Sequence, residues 1–269
     1  MGLGFDLLKP NLMMQIIKID PGSPADATGK LKKGQYVESI NGKMLRDEDP
    51  RVILGNIITE AEAIDSLVKL MVKDDKESKA YEVVVKLPVM GSFSDTSPLN
   101  CEKSEKIIRN FADFLAIHPK GWGSAMFLLS TGEEKDLEAV RGWMQKTAAE
   151  NKDKKELIGS RNNWGISYTG PALCEYFLRT GDEAILHTIQ LYADHLKNMI
   201  ENDAFRGDFV YYSQGSMNAA NVHCLTFLLL AKECGADVDE YVLQKLLKFF
   251  YRYAGHNNVA YGDQVPEGV

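Results

Sequence analysis

Asp208 in the run "RGDF" and Asp263 in "YGDQ" are carboxylates in loops rich in glycine and aromatic side chains, and Glu175 is a carboxylate in an otherwise apolar helical stretch. Such groups can move protons, but they also cap helices and close turns. The histidines and cysteines offer less. His187 and His195 stand eight residues apart on one helical run, about 12 Å at 1.5 Å per residue, too far to share a metal. Cys101, Cys174, Cys224 and Cys234 contain no Cys-x-x-Cys pair and have no histidine at metal spacing, so no metal is expected. Ten residues of helix separate Cys224 from Cys234, which excludes a disulfide between them. Cys174 and Cys224 read as small buried apolar residues. His223 directly precedes Cys224, and helical neighbours point in different directions, which argues against a Cys-His nucleophile pair. With no Gly-x-Ser-x-Gly elbow and no phosphate loop, no cofactor is expected.

The backbone supplies a different chemistry. The chain opens "MGLGFDLLKP", and the successive amides of Leu3, Gly4 and Phe5 can converge on a carboxylate, with the glycines permitting unusual φ and close approach. Such a loop normally follows a strand, for which there is no room. Behind it, "MMQIIKI" from Met13 to Ile19 predicts a strand, "SPADATG" a short helix stopped at Gly29, and Tyr36 to Ile40 a strand closed by Asn41-Gly42. Pro50 to about Ala63 predicts a helix with Val52, Ile53, Ile57 and Ala61 on one face, followed by strands from Ser66 to Val72 and Tyr81 to Leu87.

These residues carry a resemblance. Gly2-Leu3-Gly4-Phe5 resembles the carboxylate-binding loop of PDZ domains, and "PGSPADATGKLKKGQYVESINGK" is similar to the Gly-Ser-Pro-Ala to Ile-Asn-Gly segment of bacterial PDZ domains. The resemblance implies a peptide added as a strand between the Phe5 to Leu8 strand and the Pro50 helix, its end held at Leu3, Gly4 and Phe5. Phe5, Leu7, Val52 and Ile53 are the expected pocket walls. Plain core packing is the alternative for each of them. The first histidine is His118, so the helix-borne histidine that selects Ser or Thr in one PDZ class is missing, and the expected partner is a C-terminal or extended peptide with apolar side chains. The chain departs from the pattern in lacking the preceding strand, so the sheet has lost an edge or completes it from a later segment. It departs also at Gln35, where an acidic residue is usual, a change expected to matter little.

Composition bounds the rest. The 269 residues are 45% hydrophobic and 26% charged, enough for one large or two modest cores, and two domains are expected. A net charge of -7 argues against nucleic acid and anionic membranes, which require clustered Lys and Arg. The longest apolar stretches, such as "CLTFLLLA", fall far short of the roughly 20 residues that span a bilayer, so no membrane insertion is expected. No signal-like segment precedes the fold, and Asp6 stands where a myristoylation signal would want Ser or Thr.

After "GSFSDTSP", a linker by composition, the pattern becomes helical, with Ile107, Ile108, Phe111, Phe114 and Leu115 on one stripe. "AMFLLSTGEEKDLEAVRGWM" and "CEYFLRTGDEAILHTIQLYA" then match with their Thr-Gly cores at Thr131 and Thr180, 49 residues apart, and "LLLAKECGADVDEYVLQKLL" is a looser third copy. Each copy is an apolar helix stopped by Gly132, Gly181 or Gly235, with acidic residues opening the next helix. Hairpins of this kind must stack to bury their faces. The loops between them, "HPKGWGS", "RNNWGISYTGP", "RGDFVYYSQGSMN" and "HNNVAYGDQVPEG", resemble those of α/α toroids, a group containing glycosidases, polysaccharide lyases and terpenoid cyclases. A toroid hydrolase or lyase implies Asp208, Asp263 and Glu175 as catalytic candidates. The same likeness implies Trp122, Trp164, Tyr168, Tyr211, Tyr212 and Tyr261 as sugar-stacking platforms, against ordinary interhelical packing.

The expected fold class is therefore a multidomain α and β protein. Residues 1–90 form a PDZ-like β-sandwich or barrel with two helices, 91–103 a linker, and 104–269 a helical-hairpin repeat forming a partial α/α toroid. About seven helices are expected in the last part where a closed ring wants twelve, so the sequence reads as a piece of a longer protein. The order also resembles large bacterial proteins that place a PDZ domain before a toroid, and that resemblance favours a periplasmic or extracellular setting. Two functions are expected on these grounds: peptide recognition or assembly, or a carbohydrate-active hydrolase or lyase whose cavity is completed elsewhere.

Overall fold

The structure, a computed structural model, describes residues 1–10, 12–45, 49–117, 121–158, 162–200, 203–205, 216–256, 259 and 262–263. It divides into two compact units, Met1–Ile108 and Arg109–Val269. The division falls inside a helix, later than the predicted linker.

The first unit is an antiparallel sheet with one covering helix. Strands β1 (Leu3–Leu8), β2 (Met13–Ile19), β3 (Tyr36–Ile40), β5 (Leu67–Lys73) and β6 (Tyr81–Lys86) lie in the order β1-β2-β3-β5-β6, and the short β4 (Lys43–Met44) pairs with β3. Alternation builds the core. In β5 Val68, Leu70 and Val72 point inward, and in β6 Val83 and Val85 do the same, all with at most 1% exposure. Helix α1 (Pro50–Ala63) packs against β3 and β5. Asp49 caps it by accepting a hydrogen bond from the Arg51 N–H at 2.9 Å, with Pro50 in the first helical position, where its missing N–H costs nothing. Ile53, Ile57 and Ala61 are its buried stripe. The late segment Tyr81–Lys86 provides the strand at the far edge of the sheet.

The segment 91–103 is less free than its composition suggests. The Glu62 carbonyl accepts from the Met90 and Gly91 N–H groups at 2.9 and 3.1 Å. Lys103, 2% exposed, reaches the Glu62 carboxylate at 2.8 Å and lies over the Phe93 ring. These contacts dock the run on α1 and explain why the unit extends to Ile108.

The second unit holds the rest of α2 (Glu102–Ile117) and then α3 (Gly121–Thr131), α4 (Glu134–Asn151), α5 (Asn162–Thr180), α6 (Leu186–Met199), α7 (Asn218–Glu233) and α8 (Glu240–Tyr251). The three repeated turns close as the sequence predicts. Gly132, Gly181 and Gly235 have φ of 77°, 66° and 86°, the left-handed conformation that ends a helix. Thr131 and Thr180 each accept, through the side-chain oxygen, the N–H two residues on, at 3.3 and 3.2 Å. Helix α5 packs against α3 and against α7, so the first helices of the hairpins form one layer, while α4 packs against α6 and α8 against α7. The closest approach is at Gly170 of α5, where an added Cβ would lie 2.5 Å from the Phe227 ring of α7.

The α2 stripe differs from expectation. Leu115 and Ala112 are buried, but Ile107, Ile108, Phe111 and Phe114 are 43 to 57% exposed. The inward face of this helix is defined instead by a charged contact. Arg109 makes two hydrogen bonds to the buried Asp136 of α4, at 2.6 and 2.8 Å, and that pairing turns the apolar stripe outward.

Candidate functional site

In the first unit the opening motif forms the edge of the sheet. Gly2 has φ of 82°, and a Cβ there would fall 2.1 Å from that of Ser23, so only glycine fits. The Gly2 carbonyl accepts from the Asp20 N–H at 2.9 Å and the Met1 carbonyl from the Ala25 N–H at 3.1 Å. Gly2-Leu3-Gly4-Phe5 and the "DPGSPA" turn, the two most distinctive runs of this region, are thus bonded to each other. From Leu3 onward the motif is strand, paired on one side with β2 and, among the described residues, with no strand on the other.

Placement of the predicted walls is mixed. Leu3, Gly4, Phe5 and Leu7 are half-buried, and Leu3, Phe5 and Leu7 rest on the core. Gly4 sits in the ladder opposite Lys18 and has no positive φ, so the conformational freedom expected at both glycines is used at Gly2 alone. Ile53 is 1% exposed and belongs to the core, whereas Val52 is 56% exposed. The half-exposed apolar positions of α1 are Leu54 and Ile58, one residue along from the buried Ile53 and Ile57, and they share the cluster of Phe5 and Leu7. One residue is 100° on a helix, which is enough to exchange a wall for the core.

In the second unit the rings of three helices meet. Trp122, in the first turn of α3, stacks on Tyr168 of α5 with centroids 4.6 Å apart and planes at 15°. Trp164 lies 5.8 Å from Tyr168, and His223 of α7 approaches the same ring at 5.1 Å. Trp122 is 44% exposed, so the stack reaches the surface. Beneath it, the first two turns of the three helices carry buried polar groups that no sequence motif singled out: Ser124, Asn163, Ser167, Asn218 and Asn221. Asn221 clamps a neighbouring backbone, accepting from the Phe205 N–H at 2.7 Å and donating to its carbonyl at 3.2 Å. A signal was present in the sequence, because Asn163 and Ser167, and Asn218 and Asn221, repeat a polar residue at helical spacing on faces that are otherwise apolar or small.

The first turns of α4 and α8 carry Glu134, Asp136 and Glu240, whereas those of α3, α5, α6 and α7 hold no acid. Strand β7 (Ser216–Met217) leads into α7 and pairs with β8 (Gly262–Asp263), which brings the Asp263 backbone to the start of α7. The Asp263 side chain, Asp208, Tyr211, Tyr212 and Tyr261 lie outside the described residues. Glu175 is half-buried and stands seven residues beyond Tyr168, about 10 Å along α5, so it is not part of the aromatic stack.

Burial and hydrogen bonding set the state of the cysteines and of His195. All four cysteines are free and buried. Burial pushes the Cys174 thiol far above its ordinary value, with Cys234 donating to the Cys174 carbonyl at 3.7 Å. Hydrogen bonds from Ser104 and from Ser94 lower the Cys101 thiol to about 6. Burial lowers the pKa of His195, whose Nδ1 bonds the Leu157 carbonyl at 3.2 Å. His223 is exposed while Cys224 is buried, so the two face apart as helical geometry requires. Among the described residues no group of three His, Cys, Asp or Glu side chains has metal-binding geometry. A surface hollow of about 430 Å³ lies on the outer layer, lined by Gln145, Ala148, Ala149, Lys152, Ala184 and His187, and no candidate residue opens into it.

An antiparallel sheet with an open edge, followed by stacked helical hairpins that gather aromatic rings at one end, is the class of protein these features define. The chain belongs to the family described as Domain of unknown function (DUF6288), whose model matches residues 104–269, the helical region. Comparisons with curated proteins and with solved structures gave no match.

Proposed function

We propose that the first unit is a peptide-binding module of the PDZ type, attached to a helical unit of partial α/α-toroid form, and that the whole serves recognition or assembly. The observation that supports this best is the position of β1. It is the last strand of its sheet, it begins at Gly2-Leu3-Gly4-Phe5, and its outer side carries backbone donors and acceptors beside the apolar Phe5 and Leu7. A peptide laid along that edge gains main-chain hydrogen bonds and fills pockets with alternate side chains. Its partner is a C-terminal or extended segment with apolar side chains. Hexapeptides with free and with amidated carboxyl ends test the reading. The free form should bind about tenfold more tightly, because a charged acceptor strengthens each amide hydrogen bond. Binding of neither form removes the peptide role, and equal binding removes the carboxylate loop.

A second reading is a carbohydrate-active hydrolase or lyase, favoured by the exposed face of the Trp122–Tyr168 stack, the kind of surface on which a sugar ring rests. Asp208 and Asp263 are its acid and base, with Tyr211, Tyr212 and Tyr261 as further platforms. Reducing-end release from a polysaccharide panel tests it. Activity that survives both Asp208→Asn and Asp263→Asn eliminates those roles, and Trp122→Ala should raise KM more than it lowers kcat.

A further inference from the structure

Asp6 lies on the proposed peptide edge, and any role for it there rests on that reading of β1. The Gly2 carbonyl faces β2, where it accepts from Asp20. The β1–β2 ladder has a register shift between Gly4 and Phe5 whose extra residue, Ile17, lies in β2, so alternation continues along β1: the backbone groups of Gly4, Asp6 and Leu8 face β2 and those of Leu3, Phe5 and Leu7 face outward. A separate contact agrees with this. The Leu7 N–H donates to Oδ1 of Asp6 at 2.9 Å, which a group committed to β2 would not do. Asp6 is exposed, its partner across the ladder is Gln15, and it makes no ion pair among the described residues. Gln15 is itself engaged, donating to the Gly34 carbonyl at 3.0 Å.

We propose that Asp6 gates and selects at the β1 edge: its carboxylate covers the outward Leu7 N–H when the edge is empty, and the segment it admits carries Lys or Arg beside it. An added strand needs that N–H for its own carbonyl, so it displaces the carboxylate. The displaced carboxylate remains next to the incoming chain. There an opposite charge across the strand pair is favourable and a like charge is not. The same charge opposes pairing of β1 with β1 of a second copy, which would bring two uncompensated carboxylates onto one ladder, a familiar protection of exposed edges. The occupant is therefore a basic, otherwise apolar peptide.

The test uses the whole chain and its Asp6→Asn and Asp6→Ala variants. Asn keeps an acceptor for Leu7 but no charge, and Ala keeps neither. The probes are two hexapeptides with free carboxyl ends, Val-Thr-Val-Lys-Thr-Val and the same peptide with Glu replacing Lys. The wild type should prefer the Lys peptide by about tenfold, and both variants should show less than about a twofold preference. Amide exchange at Leu7 should quicken about tenfold in Asp6→Ala and stay unchanged in Asp6→Asn. A preference that persists in Asp6→Asn, or Leu7 exchange that is the same in Asp6→Ala and wild type, overturns the role of Asp6 and leaves the peptide reading standing. Failure of the wild type to bind either peptide overturns both.

Discussion

Each unit buries a polar side chain that gathers three hydrogen bonds, and these two hubs differ in charge. In the sheet unit the hub is Gln35, 3% exposed. Its oxygen accepts from the Lys32 N–H at 2.7 Å, and its amide nitrogen donates to Asp74 at 2.8 Å and to the Tyr81 hydroxyl at 2.7 Å. In the helical unit it is Asp136, 1% exposed, which accepts two hydrogen bonds from Arg109 and one from Thr131 at 2.6 Å. A neutral amide can donate and accept at any pH. An ion pair depends on both charges being present, so the buried Asp136 carboxylate makes the helical unit's hub sensitive to acid.

Removing one member should break this comparison most severely. Arg109→Ala leaves the Asp136 carboxylate buried without its cation and should lower the urea midpoint of the helical unit more than any other substitution named here. An unchanged midpoint would show that the pair is incidental. The Arg109 hydrogen bonds hold Asp136 below its ordinary value of 3.8. Because the folded value is the lower one, the stabilisation is complete above the unfolded value and disappears as pH falls through the folded value. Asp136→Asn should therefore flatten the fall in urea midpoint below about pH 4, and a midpoint curve parallel to wild type would refute the assignment.

Close packing comes next. Gly170→Val pushes branched carbon into the Phe227 ring and should cost about 2 to 3 kcal/mol, read as a lower thermal midpoint. An unchanged midpoint would mean that α5 and α7 are not in contact at this point. Gln35→Leu takes the acceptor from the Lys32 N–H while the Tyr81 hydroxyl keeps its bond to Asp74, a loss of about 1 kcal/mol from the sheet unit. Gln35→Glu sharpens the contrast between hubs by setting a second carboxylate against Asp74. Its destabilisation should grow as pH rises above about 4, the reverse of the Asp136 dependence. The smallest effects fall at the hairpin turns. Open space surrounds the Cβ position at Gly132, Gly181 and Gly235, so substitution by Ala costs only the left-handed backbone, about 1 kcal/mol at each. Three similar values would support equivalence of the turns, and one near zero would mark a turn that does not belong to the set.

Local signals made much of the fold legible. The "MMQIIKI" strand, the helix from Pro50 to Ala63 and the three glycine-stopped hairpins fall where composition and spacing put them. The candidate site was legible in residue type more than in direction. Trp122, Trp164 and Tyr168 were recognisable as ring-bearing residues of expected loops, but the structure places them in the first two turns of α3 and α5, and their joining with His223 depends on how α3, α5 and α7 pack. Val52 and Ile53 were expected as walls where Leu54 and Ile58 take the half-exposed positions, and the α2 stripe faces outward because Arg109 meets Asp136. Gln35, expected to matter little, holds three bonds.

By itself the sequence determined where the three hairpin turns and the helix from Pro50 to Ala63 fall, since capping residues, glycines and apolar periodicity act within a few residues of the chain. Tertiary structure alone decided which side of each element meets another and which polar atoms are buried together. Those outcomes depend on contacts between residues far apart in the chain, and a rotation of one residue about a helix or strand is enough to reverse them.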